Sequence, residues 1–552
     1  MRTQFSTQST TTRRRSFSSK RTGGSALMAV MLFVVVSFVL LGSVMVWAKN
    51  NGALAVRKYE FIRAQYVAEA AADKFFAGFQ SYVVANRVTP SQSVIDGLCT
   101  SQLPTSADNA IFGQYQFIAN DGSHDKINGT WMGTPIQQLL TSGTYSGLYA
   151  LVTSYHVVAR ANAVGRPMAV TAAVERDVAV QSIPVFQFGV FYQGDLEIGN
   201  SAPMTITGRV HANGNGYFIP YPGNPLVINS PVTLAGNAYY TCKPGDATHS
   251  TYGPTTFVST LTTEEGQLTL PLGAGVSNPR DMLDPPPTSG IDPIPDQRLY
   301  NKAGMIITVT DAGISVVDAL GTAVSLPVDT IATNKSMNDF REGKTVLMTE
   351  IDFDKLKSKV PNNGIIYVMD RRSVTSSEET AIRLINGSSG MPAGGLTFIT
   401  PNPLYILGDY NTASTWEPCA IFADAINILS ANWNDANSTE ALSSRLPVNT
   451  TVNAAVFVGN VPTTEATGTS GGLENTFRLH EDWRGANMTL TYTGAIVCMF
   501  ESRIATGPFN NASRTPPTRL WSFDTRFLSL GTLPPGTPSV ITVRQVNWVS
   551  LQ

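Results

Sequence analysis

Ser470 stands in GTSGG, a match to the G-x-S-x-G pattern in which a serine on a tight strand-to-helix turn becomes an acyl-transfer nucleophile. Its surroundings, TTEATGTSGGLEN, are a polar loop with neither the strand before nor the helix after that such a turn needs, so the match carries no hydrolase assignment. Ten residues on, His480, Glu481 and Asp482 set an imidazole beside two carboxylates, the raw material of a triad or a metal site. The chain has 5 histidines (His124, His156, His211, His249 and His480), and none forms an HExxH or other two-histidine pair. His156 falls mid-strand, the usual place of a packed or solvated residue. Acids recur at Asp352/Asp354 and Asp121/Asp125, but a glycosidase pair is defined by carboxyl separation in space, which close sequence spacing does not supply. P-loop, dinucleotide and EF-hand patterns are missing, and no catalytic residue, cofactor or metal is expected. Sequons such as Asn128, Asn386 and Asn487 arise by chance in a chain rich in Asn and Thr.

The 4 cysteines, Cys99, Cys242, Cys419 and Cys498, are far apart and show no metal-ligand spacing. Outside the cytoplasm they allow up to two disulfides among three connectivities; as buried thiols they would serve as small hydrophobes. Trp483, Arg484, Trp521 and Arg526 are residue types that make binding hot spots, and an adhesive face is one reading of EDWRGANMTLTYTG and PPTRLWSFDTRFLSLGTLPPGTP. The competing reading has these aromatics capping a β core and sealing its last open edge.

What would position any of these residues begins at the N-terminus. A basic leader (Arg2, Arg13, Arg14, Arg15, Lys20, Arg21) ends in Gly23-Gly24, and Ala26 to Ala48 then carries no charge. At about 1.5 Å per residue that run makes roughly 35 Å of helix, enough to cross a hydrocarbon core of about 30 Å. Trp47 suits the far interface, Lys49 follows, and no acid precedes Glu60. The cationic side therefore stays in the cytoplasm and the rest crosses. The run is too long for a removable signal peptide. Helical periodicity also continues through Ala68, Ala72, Phe75, Phe79 and Val83, predicting one helix over about 25–86, roughly 90 Å long.

A leader ending in Gly, a membrane helix directly after it, and its extension as an amphipathic stalk resemble a type IV pilin precursor. RTGGSALMAVMLFVVVSFVLLGS followed by YVAEAAADKF is similar, more narrowly, to PilX-type minor pilins and GspK-type minor pseudopilins. The resemblance implies that a prepilin peptidase cuts after Gly24, leaving Ser25 as the mature N-terminus, and that other pilins or pseudopilins are partners through the helix. Ala29 stands at mature position five, where major pilins carry a glutamate that pairs with a neighbour's N-terminal ammonium. Lacking it, the subunit is expected at a special place such as the tip, as in the GspK type. GGLTFITPNPLYILGDYNT, CAIFADAINILSANWND and SGGLENTFRLHEDWRGANMTLTYTGAIVCMFESRIATGP also look like blocks of large PilX-headed surface proteins.

Composition fits an exported, β-rich protein. Apolar residues make up 43%, charged residues only 14% against a typical ~25%, and Gly, Thr, Ser, Asn and Pro are plentiful. Removing the leader's cations leaves 32 Lys+Arg against 40 Asp+Glu, a net −8, which speaks against nucleic-acid binding.

In chain order, residues 1–24 are the leader and 25–87 the membrane and stalk helix. A pilin-like α+β segment is expected over 88–185. Its strands are Tyr149 to Ala161 and Met168 to Ser182, forming a hairpin against the stalk. From 186 to 277, short apolar pieces broken by Gly, Asn, Asp and Pro predict many short strands: a partial right-handed β-helix over about 189–236, or a Greek-key sandwich. The proline-rich 278–298 reads as a linker or a loop over that region, and 299–552 as a β-rich head with one short helix at IDFDKLKSKV. The fold class is thus mainly β with one long N-terminal helix. Three functional classes remain: a structural minor pilin or pseudopilin of a single-pass bacterial inner-membrane type, a membrane-anchored adhesin outside any filament, and a tethered β-helix carbohydrate-active enzyme. Cleavage at Gly24 separates the first from the others.

Overall fold

The computed structural model describes residues 25–165, 170–247, 250–273, 276, 278–509 and 513–551; the leader with Gly24, and also Met168 and His249, lie outside the described residues. Ser25–Asn86 is one continuous α-helix. No proline interrupts it, and Gly42, Gly52 and Gly78 each cost about 1 kcal/mol, too little to break so long a run. Arg87 ends it in the left-handed region at φ 51°, its N–H donating to the carbonyl of Val83. From Ser25 to Tyr59 every residue is exposed, whereas Ala64, Val67, Ala68, Ala71, Ala72, Phe75, Phe79 and Val83 form a buried stripe. Among the described residues this is one helix long and apolar enough to cross a membrane.

The stripe packs on an antiparallel sheet. Tyr149–Ala163 pairs with Thr171–Pro184 along its whole length, and Tyr115–Phe117, Asn128–Trp131 and Ile136–Leu139 pair with its free side. The far edge is filled by Ser539–Leu551, so the last segment of the chain completes the sheet that the hairpin begins. The turn-rich stretch after Pro90 contains a helix that periodicity did not announce, Gln92–Ser101, burying Ile95 and Cys99 beside Phe75. Gly129 is required beneath it, because a Cβ there would lie 2.5 Å from Ile95 and 2.7 Å from Cys99.

Beyond Val190 the chain coils. Val190–Tyr192, Leu196–Ile198 and Met204–Ile206 make one turn; Val210–Ala212, Gly216–Phe218 and Leu226–Ile228 make the next; Val232–Leu234, Ala238–Tyr239 and Thr255–Phe257 follow. Each strand pairs in parallel with its counterpart a turn later, giving three ladders. One corner repeats the same bond. The Asp195 carboxylate accepts from the N–H of Asn215 at 2.8 Å, and the Asn215 amide oxygen from that of Asn237 at 2.9 Å. Leu268, Leu270, Leu272, Met282 and Ile294 then pack on the outside of the stack, and coiling restarts towards its opposite end with Met305–Thr310. Ile365–Asp370, Leu396–Ile399, Cys419–Ala423, Ala455–Asn460 and Ile496–Glu501 climb back in parallel until the last meets Val190–Tyr192. One 11-stranded ladder results, built from two halves of chain that join in its middle.

Both faces of that ladder are covered, which is why its strands read as unbroken apolar runs such as IIYVM and CAIFA. Inside lies one cluster fed by both halves, including Leu196, Ile228, Ile366, Phe398, Ile421, Val456 and Trp483. Outside, Phe186, Phe422, Phe457 and Phe527 pack with Met282, Leu283 and Ile294 of the proline-rich segment. That segment is fastened by charge as well. Arg280 is buried, its Nε 3.1 Å from Asp424, and Asp424 also accepts from the N–H groups of Arg503, Ile504 and Ala505 at 2.8–3.0 Å. IDFDKLKSKV forms the short helix Phe353–Leu356, capped by Asp352.

Candidate functional site

The anchoring helix presents the largest unpaired surface. Leu27, Met28, Phe33, Phe38, Leu40 and Trp47 project from the rod with at least 60% of their surface exposed, and Ala29 lies on it near the start, four residues after Ser25. The rod is held rigidly where it meets the sheet. Asp73 pairs with Arg176 at 2.6 Å, Arg176 also lies over the Phe76 ring, and Lys74 reaches Asp108 at 2.8 Å. Phe79 meets Tyr155 edge-on at 5.1 Å, and the Tyr155 hydroxyl donates to the carbonyl of Pro90 at 2.7 Å. The helix is fixed to the sheet from Ala64 onward and free before Glu60.

The residues with catalytic potential are drawn apart by the fold. His480 contacts the Asn427 amide oxygen at 2.9 Å and lies 3.7 Å from Asp339, while Glu481 accepts from the Ser430 N–H and hydroxyl at 2.7 and 2.6 Å. Asp482 caps the short helix Trp483–Ala486 and takes a bond from Thr515 at 2.6 Å. Burial lowers the His480 pKa, with Asp339 opposing; burial lifts that of Glu481 to about 7 against its Ser430 bonds. Burial alone would raise the Asp339 pKa, but His480 and the Tyr405 hydroxyl at 2.7 Å hold it below the carboxylate range. Ser470 sits in a loop, its hydroxyl accepting from the Gly472 N–H and its own N–H bonded to Thr463. Asp352 and Asp121 are likewise spent on neighbouring backbone N–H groups, and His156 pairs across strands with Asp177 at 2.8 Å. Among the described residues no cluster of three or more His, Cys, Asp and Glu is placed to hold a metal ion.

Packing bears on two matters that the sequence left open. Trp483 is wholly buried in the inner core, and half-buried Trp521 lies against the same core with Phe477 5.2 Å away. Arg526 stacks 4.1 Å over Trp416 and pairs with Asp524; of the four residues, Arg484 is the one exposed beside a cleft. The four cysteines are unbridged in this structure. Cys99, Cys419 and Cys498 are buried free thiols whose pKa burial pushes up to about 12. Cys419 and Cys498 occupy ladder strands separated by Ala455–Asn460, two spacings of about 4.8 Å, beyond the Cα reach of a bridge.

Sequence reasoning missed one site. At the junction of the two halves lies a cleft of 370 Å³ lined by Glu197, Tyr221, Glu474, Arg484, Phe509 and Arg514. These residues are hundreds of positions apart, and no local pattern marks them.

No family model matches the chain, and no curated protein matches it. Among solved structures it is similar to the competence-associated pilin ComZ from Thermus thermophilus, at 10% identity over 89% of this chain and 97% of that one. The TM-score is 0.29, too low to bear on the fold.

Proposed function

We propose that this chain is a non-enzymatic structural subunit, a minor pilin or pseudopilin of a type IV pilus or type II secretion-like system. It is made with a leader that prepilin peptidase removes after Gly24, and Ala26–Ala48 holds it in the bacterial inner membrane. Its N-terminus is cytoplasmic and its β-rich head lies outside. The observation that carries this reading is the division of one helix into a bare apolar half and a half sealed under an antiparallel sheet. An apolar rod projecting from a folded head needs lipid or other such rods around it. The three parallel ladders are read as a β-solenoid head, 186–277 and 299–552, which 278–298 straps from outside. Residues 88–185 join that head to the stalk. The engagement of Ser470, His480, Glu481 and Asp482 in structural bonds favours display over catalysis.

Ala29 leaves the subunit without the carboxylate that would meet a neighbour's N-terminal ammonium. An uncompensated charge in the membrane costs about 2.5–3.5 kcal/mol on insertion scales, tolerable once at a tip and not at every step of a shaft. The subunit is therefore scarce and terminal or assembly-initiating. Mass spectrometry of the membrane-extracted protein tests the reading: the chain should begin at Ser25, N-methylated, and Gly24→Val should block the cut. An intact Met1 or Arg2 terminus in a host with a prepilin peptidase would refute it and leave the anchored adhesin.

A further inference from the structure

The cleft at the junction of the two coiled halves is lined by Arg484 and Arg514 and by Glu197, Asp246 and Glu474, and among the described residues Arg514 forms an ion pair with none of these acids. Arg514 is 6% exposed, its guanidinium lies 5.1 Å from the Phe509 ring, and it has no hydrogen bond or ion pair among the described residues. Behind it, Nε and Nη1 of Arg519 are buried without partners, and its Nη2 reaches only the backbone carbonyl of Glu474, at 3.2 Å. Arg484 adds a third cation at the rim. Against these stands Glu474, which accepts from the Gly199 N–H at 3.2 Å and whose pKa burial raises, with Arg519 opposing. Burying a guanidinium costs several kcal/mol unless an anion meets it. Arg514 lines the cleft, so a ligand entering it is positioned to supply that anion.

The remaining walls narrow its chemistry. A bare inorganic anion would leave most of 370 Å³ empty. Phe509, one face of which carries Arg514, and Tyr221 supply aromatic surface, and Ser201 and Thr515 also line the cleft. Glu197, opposite, already accepts from Thr463 at 2.8 Å and stands 3.9 Å from Lys243; its wall suits hydroxyl donors and disfavours a second carboxylate. We propose that the cleft binds an acidic saccharide of the uronic-acid class, its carboxylate on Arg514 and Arg484 and its ring against the aromatic faces. The inference holds whether or not the chain enters a filament.

Calorimetric titration of the full-length, detergent-solubilised protein with glucuronic acid, glucose and an N-acetylated dipeptide tests it. Glucuronic acid should bind saturably, and glucose and the dipeptide at least about tenfold more weakly, the worth of a charge-assisted contact. Arg484→Gln, at an exposed position, should weaken glucuronic acid about tenfold without changing the melting temperature, and Arg514→Gln about 10- to 100-fold with an unchanged circular dichroism spectrum. Absence of saturable glucuronic acid binding, equal affinity for glucose or the dipeptide, or indifference to Arg484→Gln would overturn the proposal.

Discussion

Asp424 is the residue through which the strap is fastened to the second half of the head, and its replacement by asparagine should be disproportionately costly. Its side chain is fully buried and takes one bond from Arg280 and three from consecutive backbone N–H groups of 503–505. Asparagine keeps the shape but turns an N–H₂ group towards donors, leaving at least one buried donor unpaired and Arg280 with Asp284 as its one remaining anion. Breaking a buried pair from one side costs about 3–5 kcal/mol. Arg280→Met should cost a similar amount, since it strands the carboxylate and abandons the bond to the Pro401 carbonyl. The double variant should be less destabilised than the sum by about 1–3 kcal/mol, because the second change removes a buried charge that the first left with Asp284 alone. Guanidinium unfolding of the detergent-solubilised chain, followed by tryptophan fluorescence, gives the cycle, and trypsin cutting after Arg298 reports release of the strap. Additive effects, or an Asp424→Asn cost below about 1 kcal/mol, would show that apolar packing alone holds the segment.

Trp483→Ala should lose about 3–5 kcal/mol in the same assay, whereas Trp483→Phe, which removes an indole N–H that has no partner, should cost under about 1.5 kcal/mol. Cys419 and Cys498 should resist iodoacetamide at pH 8 until the chain is unfolded, because burial keeps both thiols protonated; rapid labelling of the native protein would contradict the packing. Burial first, then Glu342 and Asp339, lifts the Glu379 pKa from 4.5 to about 7. The native state thus binds more protons than the unfolded one across that window, and stability should fall as pH rises through it. Glu379→Gln should flatten the fall, measured as melting temperature against pH. Quantitative proteomics of sheared filaments should find the subunit far below the major pilin, and Ala29→Glu should not improve assembly; even, near-major abundance would refute terminal placement.

The helix and the hairpin were legible because each signal is local. Uncharged length gives the first, and alternation broken by Gly165 gives the second. Helix Gln92–Ser101 was hidden because it buries only Ile95 and Cys99, too few positions to set a period in a polar stretch. The coiled region announced short strands but no period. Its turns hold the Asp195, Asn215 and Asn237 corner in register while loops of unequal length leave and return between ladders. The order of the ladder, entered at its middle, built out to one end and completed from the other, is a property of long-range pairing that no window of sequence contains. The same holds for the site residues. Trp483 and Arg484 look alike as hot-spot types, and only the turn of helix after Asp482 sends one into the core and the other to the cleft.

The topology also says how the head is attached. Pro184 and Ser539 are register partners in the antiparallel sheet, and the coiled stack and its strap lie between them in the chain. The head is therefore an insertion into a helix-plus-sheet unit, joined by two neighbouring strands rather than by one flexible linker. A pull on the head loads the hydrogen bonds between Thr171–Pro184 and Ser539–Leu551 across the whole ladder and reaches the rod through Asp73 and Arg176. It follows that residues 185–538 should be dispensable for the rest. Joining 184 to 539 through an Asn-Gly turn matches the antiparallel register, provided that Val152, Ile183 and Val540, which pack on the head, are made polar. In detergent the shortened chain should keep slow amide exchange along Tyr149–Ala163 and the buried stripe from Ala64 to Val83. Exchange there at unfolded-chain rates would mean that the sheet depends on the head, and that the insertion describes only its path and not its folding.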